Sequence, residues 1–255
     1  MAPPWEVAVQ IVISLALLAA YVRHAGANED AILDLRLLEI PTFFAGVVGG
    51  LIFRIGIGAL PFLLPLLLQI GFGLTPFESG SLTFATAVGA MAMKFTASTA
   101  LRWFGFRRTL IVNALISGAF MASYALFTPS TPHWLIFLAL ISGGFFRSLE
   151  FTALNAISYA DIDGPRMSRA TSFASVSQQM SGALGVAIAA VFIQIIQAGF
   201  GDETLTARDL STAFVLVAAV STLSALVFIR LKPDAGAALA GKAAAHEEGA
   251  TAPAE

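Results

Sequence analysis

Seven apolar segments, each long enough to cross a bilayer, constrain this chain more than any motif it carries. A hydrocarbon core about 30 Å thick is crossed by about 20 helical residues at 1.5 Å each. Stretches of that kind run over 5–22, 43–70, 79–99, 109–128, 134–158, 170–197 and 211–231. Such segments satisfy their backbone groups as helices in lipid. The expected fold class is therefore all-α: a polytopic helical membrane protein with about seven transmembrane helices. Composition agrees, with 57% hydrophobic and 12% charged residues, against about 25% charged in a soluble domain. Too few polar side chains remain to cover a globule in water.

The same counts exclude several functions. Cysteine is absent, which removes disulfides, thiolate metal sites and a catalytic thiol. A net charge of −2 gives no footing for nucleic acid. The chain has no GxxxxGK[ST], GxSxG or HExxH, so ATP-driven transport from this chain alone and the simple hydrolase and zincin chemistries drop out. His24, His133 and His246 fall in loops or the tail without ligand-like spacing. No enzyme activity, metal centre or cofactor is expected. A seven-helix retinal protein needs a lysine in the last span, and 211–231 has none; a seven-helix receptor stays open.

Spans 43–70 and 170–197 are long enough to tilt, kink or project beyond the lipid. Pro61 and Pro65 remove two backbone donors from the first of these and predict a kink. Span 5–22 lacks the flanks of a secretory signal. Residues 232–255 are small, polar and Pro/Gly-punctuated, and are expected to form a disordered tail. Positive charges set the orientation. Arg23, Arg36, Arg102, Arg107, Arg108, Arg166, Arg169, Arg230, Lys232 and Lys242 fall on one side, and only Arg208 on the other. The N-terminus is expected outside and the C-terminus in the cytoplasm, with Lys94 snorkelling.

Three charges lie deep inside spans: Arg54, Arg147 and Glu150. An arginine at a span centre costs about 2.5–3.5 kcal/mol, so such residues face a bundle interior or a watery cavity. Both arginines stand about 11 residues, or about 17 Å, from the cytoplasmic ends of their spans. Glu150 follows Arg147 by three residues, on nearly the same face. One reading is a polar cavity in which Glu150 exchanges protons and the arginines bind or gate. The other is structural: Arg147 and Glu150 neutralise each other, and Arg54 bonds to carbonyls freed by the prolines. GGLIFR (Gly49–Arg54) resembles GGFFR (Gly143–Arg147) three spans later, a spacing that inverts topology as in inverted-repeat transporters. Ser181, Gly185 and Ala189 form a small-residue seam suited to ordinary helix packing. Beside it, Gln178 or Gln179 is expected to face protein. Spans 109–128 and 211–231, poor in polar groups beyond Asn113, are expected to face lipid.

With those residues in view, the chain resembles the major facilitator superfamily, most of all the C-terminal part of fourteen-span drug:proton antiporters of the EmrB/QacA type. The resemblance is carried by ILDLRLLEIPTF (Ile32–Phe43), FRIGIGALPFLLPLLLQIGFGLTPFESG (Phe53–Gly80), LRWFGFRRTLIVNAL (Leu101–Leu115), GGFFRSLEFTALN (Gly143–Asn155) and MSRATSFASVSQQMSGALGVA (Met167–Ala187). It implies a linker transmembrane helix and cytoplasmic loop over 1–42 and a six-helix C-terminal half-bundle over 43–231. The tail follows over 232–255. It also implies that spans 43–70 and 134–158 line a substrate cavity bearing Arg54, Arg147, Glu150 and Asn155. Spans 79–99 and 170–197 would meet the other half, their contact suited by the small-residue seam. The loop with Gly105, Arg107 and Arg108 resembles the superfamily's gating motif, although Arg102 stands where the motif has an acidic residue.

The implied function is proton-coupled antiport of drugs or small molecules in the bacterial inner membrane. Its partners are the lipid bilayer, the substrate, protons and a missing N-terminal half-bundle. A truncated, non-transporting membrane fragment or partner subunit is the alternative.

Overall fold

The computed structural model describes residues 33–201 and 204–239, with isolated positions between 9 and 23. Among the described residues there is no strand. Five helices are long and apolar enough to cross a membrane: α1 (Pro41–Gly71), α4 (Phe106–Leu126), α5 (His133–Ser158), α6 (Gly164–Phe200) and α7 (Ala207–Phe228). A sixth long helix, α2 (Pro76–Lys94), precedes the short α3 (Ala97–Phe104). Of the expected span 5–22, positions 9, 12, 13, 16, 17, 19, 20 and 21 are described and are helical; the rest lies outside the described residues.

Local chemistry sets the helix boundaries. Thr75 and Thr206 each close a capping box, with Glu78 and Asp209 three residues on. Each pair satisfies backbone donors that a helix N-terminus leaves orphaned. The expected span 79–99 is displaced: α2 stops at Lys94, and α3 continues the chain toward Gly105. Gly105 has φ +73, a left-handed backbone that glycine adopts without a Cβ penalty. The turn between α3 and α4 is therefore built around it. Helix α1 runs through Pro61 and Pro65 and ends in a π-helical stretch, Leu67–Gly71; another occupies Ala45–Gly49.

The helix ends collect at two levels. At one, Thr42 Oγ1 donates to Asp161 at 2.8 Å and Arg107 Nη2 donates to the Ile229 carbonyl at 3.0 Å. This end also carries Arg36, Arg102, Arg108, Arg166, Arg169 and Arg230 and is called the basic end below. The tail, expected without structure from 232, runs as turns over 233–239. A Cβ on its Gly236 would stand 2.7 Å from Phe106 and 2.8 Å from Ile157. Residues 240–255 lie outside the described residues.

Two seams of close helix contact organise the bundle. Helix α2 packs along α5, and α1 along α6. In the first, a Cβ on Gly89 would meet the Ile141 carbonyl oxygen and the Phe145 nitrogen, and one on Gly144 would meet Thr86 backbone. In the second, a Cβ on Gly185 would meet the Ile55 carbonyl oxygen and the Ala59 nitrogen, and one on Gly58 would meet Gly182 backbone. The atoms correspond one to one. Ile55, Gly58 and Ala59 map to Ile141, Gly144 and Phe145 at one offset, and Thr86 and Gly89 map to Gly182 and Gly185 at another. The contacts of α4 on α5, α7 on α1 and α4 on α7 also survive exchange of the first three long helices with the last three, whereas that of α6 on α7 has no counterpart of similar extent between α2 and α4. The bundle is an inverted three-plus-three repeat.

That register corrects the sequence echo. The offset relating Gly58 to Gly144 is seven residues, or about two helical turns, short of the one relating Arg54 to Arg147. The counterpart of Arg147 is Pro61, and that of Arg54 is Leu140. The GGLIFR and GGFFR match is therefore not the repeat. The small-residue seam closes on α1 inside this bundle, as ordinary helix packing requires, so it is not a surface kept for another half.

Candidate functional site

Arg147 lines a cavity of about 440 Å³. Ile57, Leu60, Pro61, Leu64 and Pro65 line it from α1, Thr83 and Thr86 from α2, and Tyr124 and Leu140 from α4 and α5. They extend from mid-bundle toward the end away from the basic end. The two prolines contribute in two ways: their rings form wall, and their missing N–H groups leave the Ile57 and Pro61 carbonyls without the usual helical donor. Gly143 clears space for the Tyr124 hydroxyl, which a Cβ there would overlap. Beneath, a second and much smaller void is bounded by Ser117, Tyr124, Gly143 and Arg147.

Arg54 goes the other way. Its side chain runs back along α1, where a Cβ on Gly50 would lie 2.6 Å from Nη1. Nη2 donates to Asn155 Oδ1 at 3.1 Å, and the guanidinium carbon sits 4.9 Å from the Phe151 ring centroid. Gln178 Nε2 donates to the same Asn155 oxygen at 3.2 Å. Arg54 is 4% exposed. It stacks on an aromatic face, which contributes about 0.5–2 kcal/mol, and does not use the proline-freed carbonyls expected for it.

The divergence of the two arginines has a geometric cause. Helical side chains point back toward their own N-terminus. Helices α1 and α5 run in opposite directions, so arginines starting at similar depth send their guanidinium groups to opposite halves of the bundle. Sequence spacing gave the depth of each Cα but not this separation.

Glu150 is fully buried; among the described residues it forms no ion pair with either arginine, although Arg54 is near enough to act on its carboxylate through space. Its Oε2 accepts from Asn113 Nδ2 at 2.9 Å, and the same amide nitrogen donates to the Phe146 carbonyl at 2.7 Å. Glu150 Oε1, Asn113 Oδ1 and Ser117 Oγ are buried without a partner. No ion pair joins Arg147 to Glu150 among the described residues, so mutual neutralisation of that pair is not what holds either. The structure brings Arg54 to Asn155, with Gln178 and Phe151, and brings Glu150 to Asn113. It leaves Arg147 apart, in the open cavity.

Two partners escaped sequence reasoning. Asn113 was set on a span expected to face lipid, yet it turns inward while Ile111, Leu115 and Ala119 face out. The usable signal was that an isolated amide in an apolar span needs a partner. Tyr124 gave no signal beyond being aromatic near a span end. Of the loop residues, Gly105 makes the turn, Arg107 ties α4 to the end of α7, and Arg108 is exposed.

The pattern describing the Major Facilitator Superfamily matches residues 46–253. A putative multidrug resistance protein, MdtD, of Pectobacterium atrosepticum is 33% identical over 238 residues, which cover 91% of this chain and 50% of that protein. The MdtD of Yersinia enterocolitica is 30% identical over 240 residues, covering 92% and 50%. That of Salmonella heidelberg is 31% identical over 235 residues, covering 91% and 50%. The chain spans about half the length of the curated relatives it matches. An all-helical bundle with inverted repeats and a buried polar interior, matched over most of its length by this pattern, establishes that the chain belongs to the Major Facilitator Superfamily.

Proposed function

We propose that residues 43–231 form the C-terminal half of a proton-coupled exporter of drugs or other small molecules, and that a second half-bundle completes the working unit. The observation that carries this reading is the Arg147 cavity: a space of about 440 Å³ inside an apolar bundle, with one cation and a few hydroxyls on its walls. Apolar walls with few polar groups suit amphipathic molecules. In this reading Arg147 attracts an anionic or polar group of the substrate. Arg54 and Asn155, on the other side, hold the cytoplasmic half closed through Gln178 and Phe151. Glu150, to which only Asn113 donates among the described residues, is the proton-coupling candidate. The loop at Gly105, Arg107 and Arg108 anchors the cytoplasmic end, with the C-terminus inside and the N-terminus outside an inner membrane.

Tagging the C-terminus at the native locus and measuring the mass of the membrane product tests the half-bundle reading. A product of about twice 26.7 kDa, whose Arg147→Ala variant loses drug efflux at unchanged membrane level, is the expected outcome. Equal loss of efflux and of protein would reject the substrate role of Arg147. A product near the mass of this chain that gives no flux in proteoliposomes would favour the non-transporting fragment.

A further inference from the structure

The outward face of α4 and α7 carries a long apolar groove that the transport site does not use. It encloses about 600 Å³ between Ile111, Leu115, Ala119 and Ala122 of α4 and Val215, Ala219, Leu226 and Ile229 on the α7 side. Small residues make it: where α4 and α7 cross, Gly118 brings its backbone so near Thr222 that a Cβ would overlap the hydroxyl, and alanines floor the rest. From Val215 to Ile229 the groove runs about 21 Å at 1.5 Å per residue. That exceeds the depth of one leaflet, half of a core about 30 Å thick.

One end of this groove is charged. Ile229, its last wall residue, accepts the hydrogen bond from Arg107 Nη2, while Arg107 Nε is buried without a partner. Arg108 lies three residues before Ile111 on the same face of α4, and Arg230 lies four residues after Leu226 on the α7 side. Arg108 and Arg230 are exposed. No carboxylate pairs with Arg107, Arg108 or Arg230 among the described residues. Three arginines without a carboxylate partner among the described residues therefore stand at the helix ends that adjoin this apolar groove, which is at least one leaflet long.

We propose that this groove is a specific site for an anionic phospholipid of the leaflet at the basic end. One acyl chain lies between α4 and α7, and the phosphate is held by Arg107, Arg108 and Arg230. A lipid combines the two chemistries the groove presents, an apolar chain and an anionic head at its end. Guanidinium groups suit the head because they meet phosphate oxygens with paired donors. Basic pockets between transmembrane helices recognise lipid head groups in this way. Occupancy would tie α4 to α7, a contact between the two repeats that maps onto itself.

The test uses the purified chain, delipidated in detergent, with phosphatidylglycerol or phosphatidylcholine of matched chains added back. Retention is read by native mass spectrometry and thermal stability by the unfolding midpoint. Phosphatidylglycerol should be retained and raise the midpoint, and phosphatidylcholine should do neither. Arg107→Ala and Arg230→Ala should each weaken retention about fivefold, as expected for one cation near a membrane surface. Ala119→Phe, at an exposed wall position, should abolish retention by filling the groove while the protein stays folded.

Equal retention of both lipids, or retention unaffected by Ala119→Phe, would overturn the proposal in favour of nonspecific annular lipid. The chain has no native cysteine, so an Ala119→Cys variant reports on protein neighbours alone. Photocross-linking of that variant, labelled at the thiol with a benzophenone that inserts into neighbouring C–H bonds, to a second copy or to span 5–22 in native membranes would overturn it in favour of a protein-covered face.

Discussion

The inverted repeat makes two halves of the bundle comparable residue by residue, and they are not alike. On the side away from the basic end, Leu64, Pro65, Thr83 and Leu140 border an open cavity. Their counterparts under the repeat are Glu150, Phe151, Gln179 and Arg54. There the same backbone arrangement holds a filled polar cluster: Arg54 lies on Phe151, bonds to Asn155 and is joined by Gln178. The glycine contacts that set helix spacing agree atom for atom between the two sides, so spacing does not explain the difference. Side-chain choice does. Proline and leucine leave space where arginine, glutamate and phenylalanine fill it, and only the filled side needs hydrogen-bond partners. A half-bundle of this kind becomes asymmetric across the membrane by side chains alone, on a backbone that is nearly symmetric.

That contrast can be broken by experiment, and the largest effect should come from the buried carboxyl. Asn113→Leu removes the one donor to Glu150 among the described residues, in a fully buried setting, and should lower stability in detergent by about 3 kcal/mol. Adding Glu150→Leu should recover most of the loss. A single variant as stable as the parent would mean that Glu150 does not depend on the contact at 2.9 Å.

Next come the seams. Gly144→Ala and Gly58→Ala push a Cβ into backbone across equivalent contacts and should each cost about 1–3 kcal/mol. Gly182→Ala, whose Cβ would meet nothing within 4 Å, should be neutral or stabilising by up to about 1 kcal/mol through helix propensity. Unequal losses at Gly144 and Gly58, measured as unfolding midpoints, would weaken the residue-by-residue correspondence.

The arginines should separate by readout. Arg54→Lys gives up the planar stack on Phe151 and should lower stability by about 1 kcal/mol. Arg147→Lys should leave stability unchanged, and in a complete transporter it should alter substrate preference. Similar stability losses at both positions would erase the distinction between a filled and an open side.

The smallest effect belongs to the loop at the basic end. Arg166 Nε donates to Asp163 at 2.7 Å, and this hydrogen bond holds the Asp163 carboxyl below its usual range. The contact is therefore intact above the ordinary carboxylate range and is lost as pH falls through the lowered value. Amide exchange at Arg166, whose N–H donates to the Asp163 carbonyl at 3.1 Å, should speed up at that acid end. Asp163→Asn should flatten the profile; a profile unchanged by it would show the loop to be held by backbone alone.

Much of this architecture is legible in the amino-acid sequence. Spans 43–70, 109–128, 134–158, 170–197 and 211–231 correspond to α1 and α4–α7 because hydropathy and the 3.6-residue period are local properties of sequence. The small-residue seam at Ser181 and Gly185 was also visible, because close helix approach demands small side chains. Arg54, Arg147 and Glu150 stood out because charge in an apolar span is costly wherever it points. Less local features failed. The end of α2 at Lys94 depended on a break that no glycine or proline marks, and the repeat register was sought in matching letters instead of matching contacts.

Sequence by itself determined that this is a helical membrane bundle of the Major Facilitator Superfamily, and which side chains in it are too polar to face lipid. Only the tertiary structure decided that Arg54 and Arg147 part company, that Asn113 serves Glu150, and that the repeat pairs Arg147 with Pro61. The reason is directional. Hydropathy records how much a residue resists lipid, whereas its partner depends on the direction of its helix and on the register that glycine contacts impose on the neighbouring one.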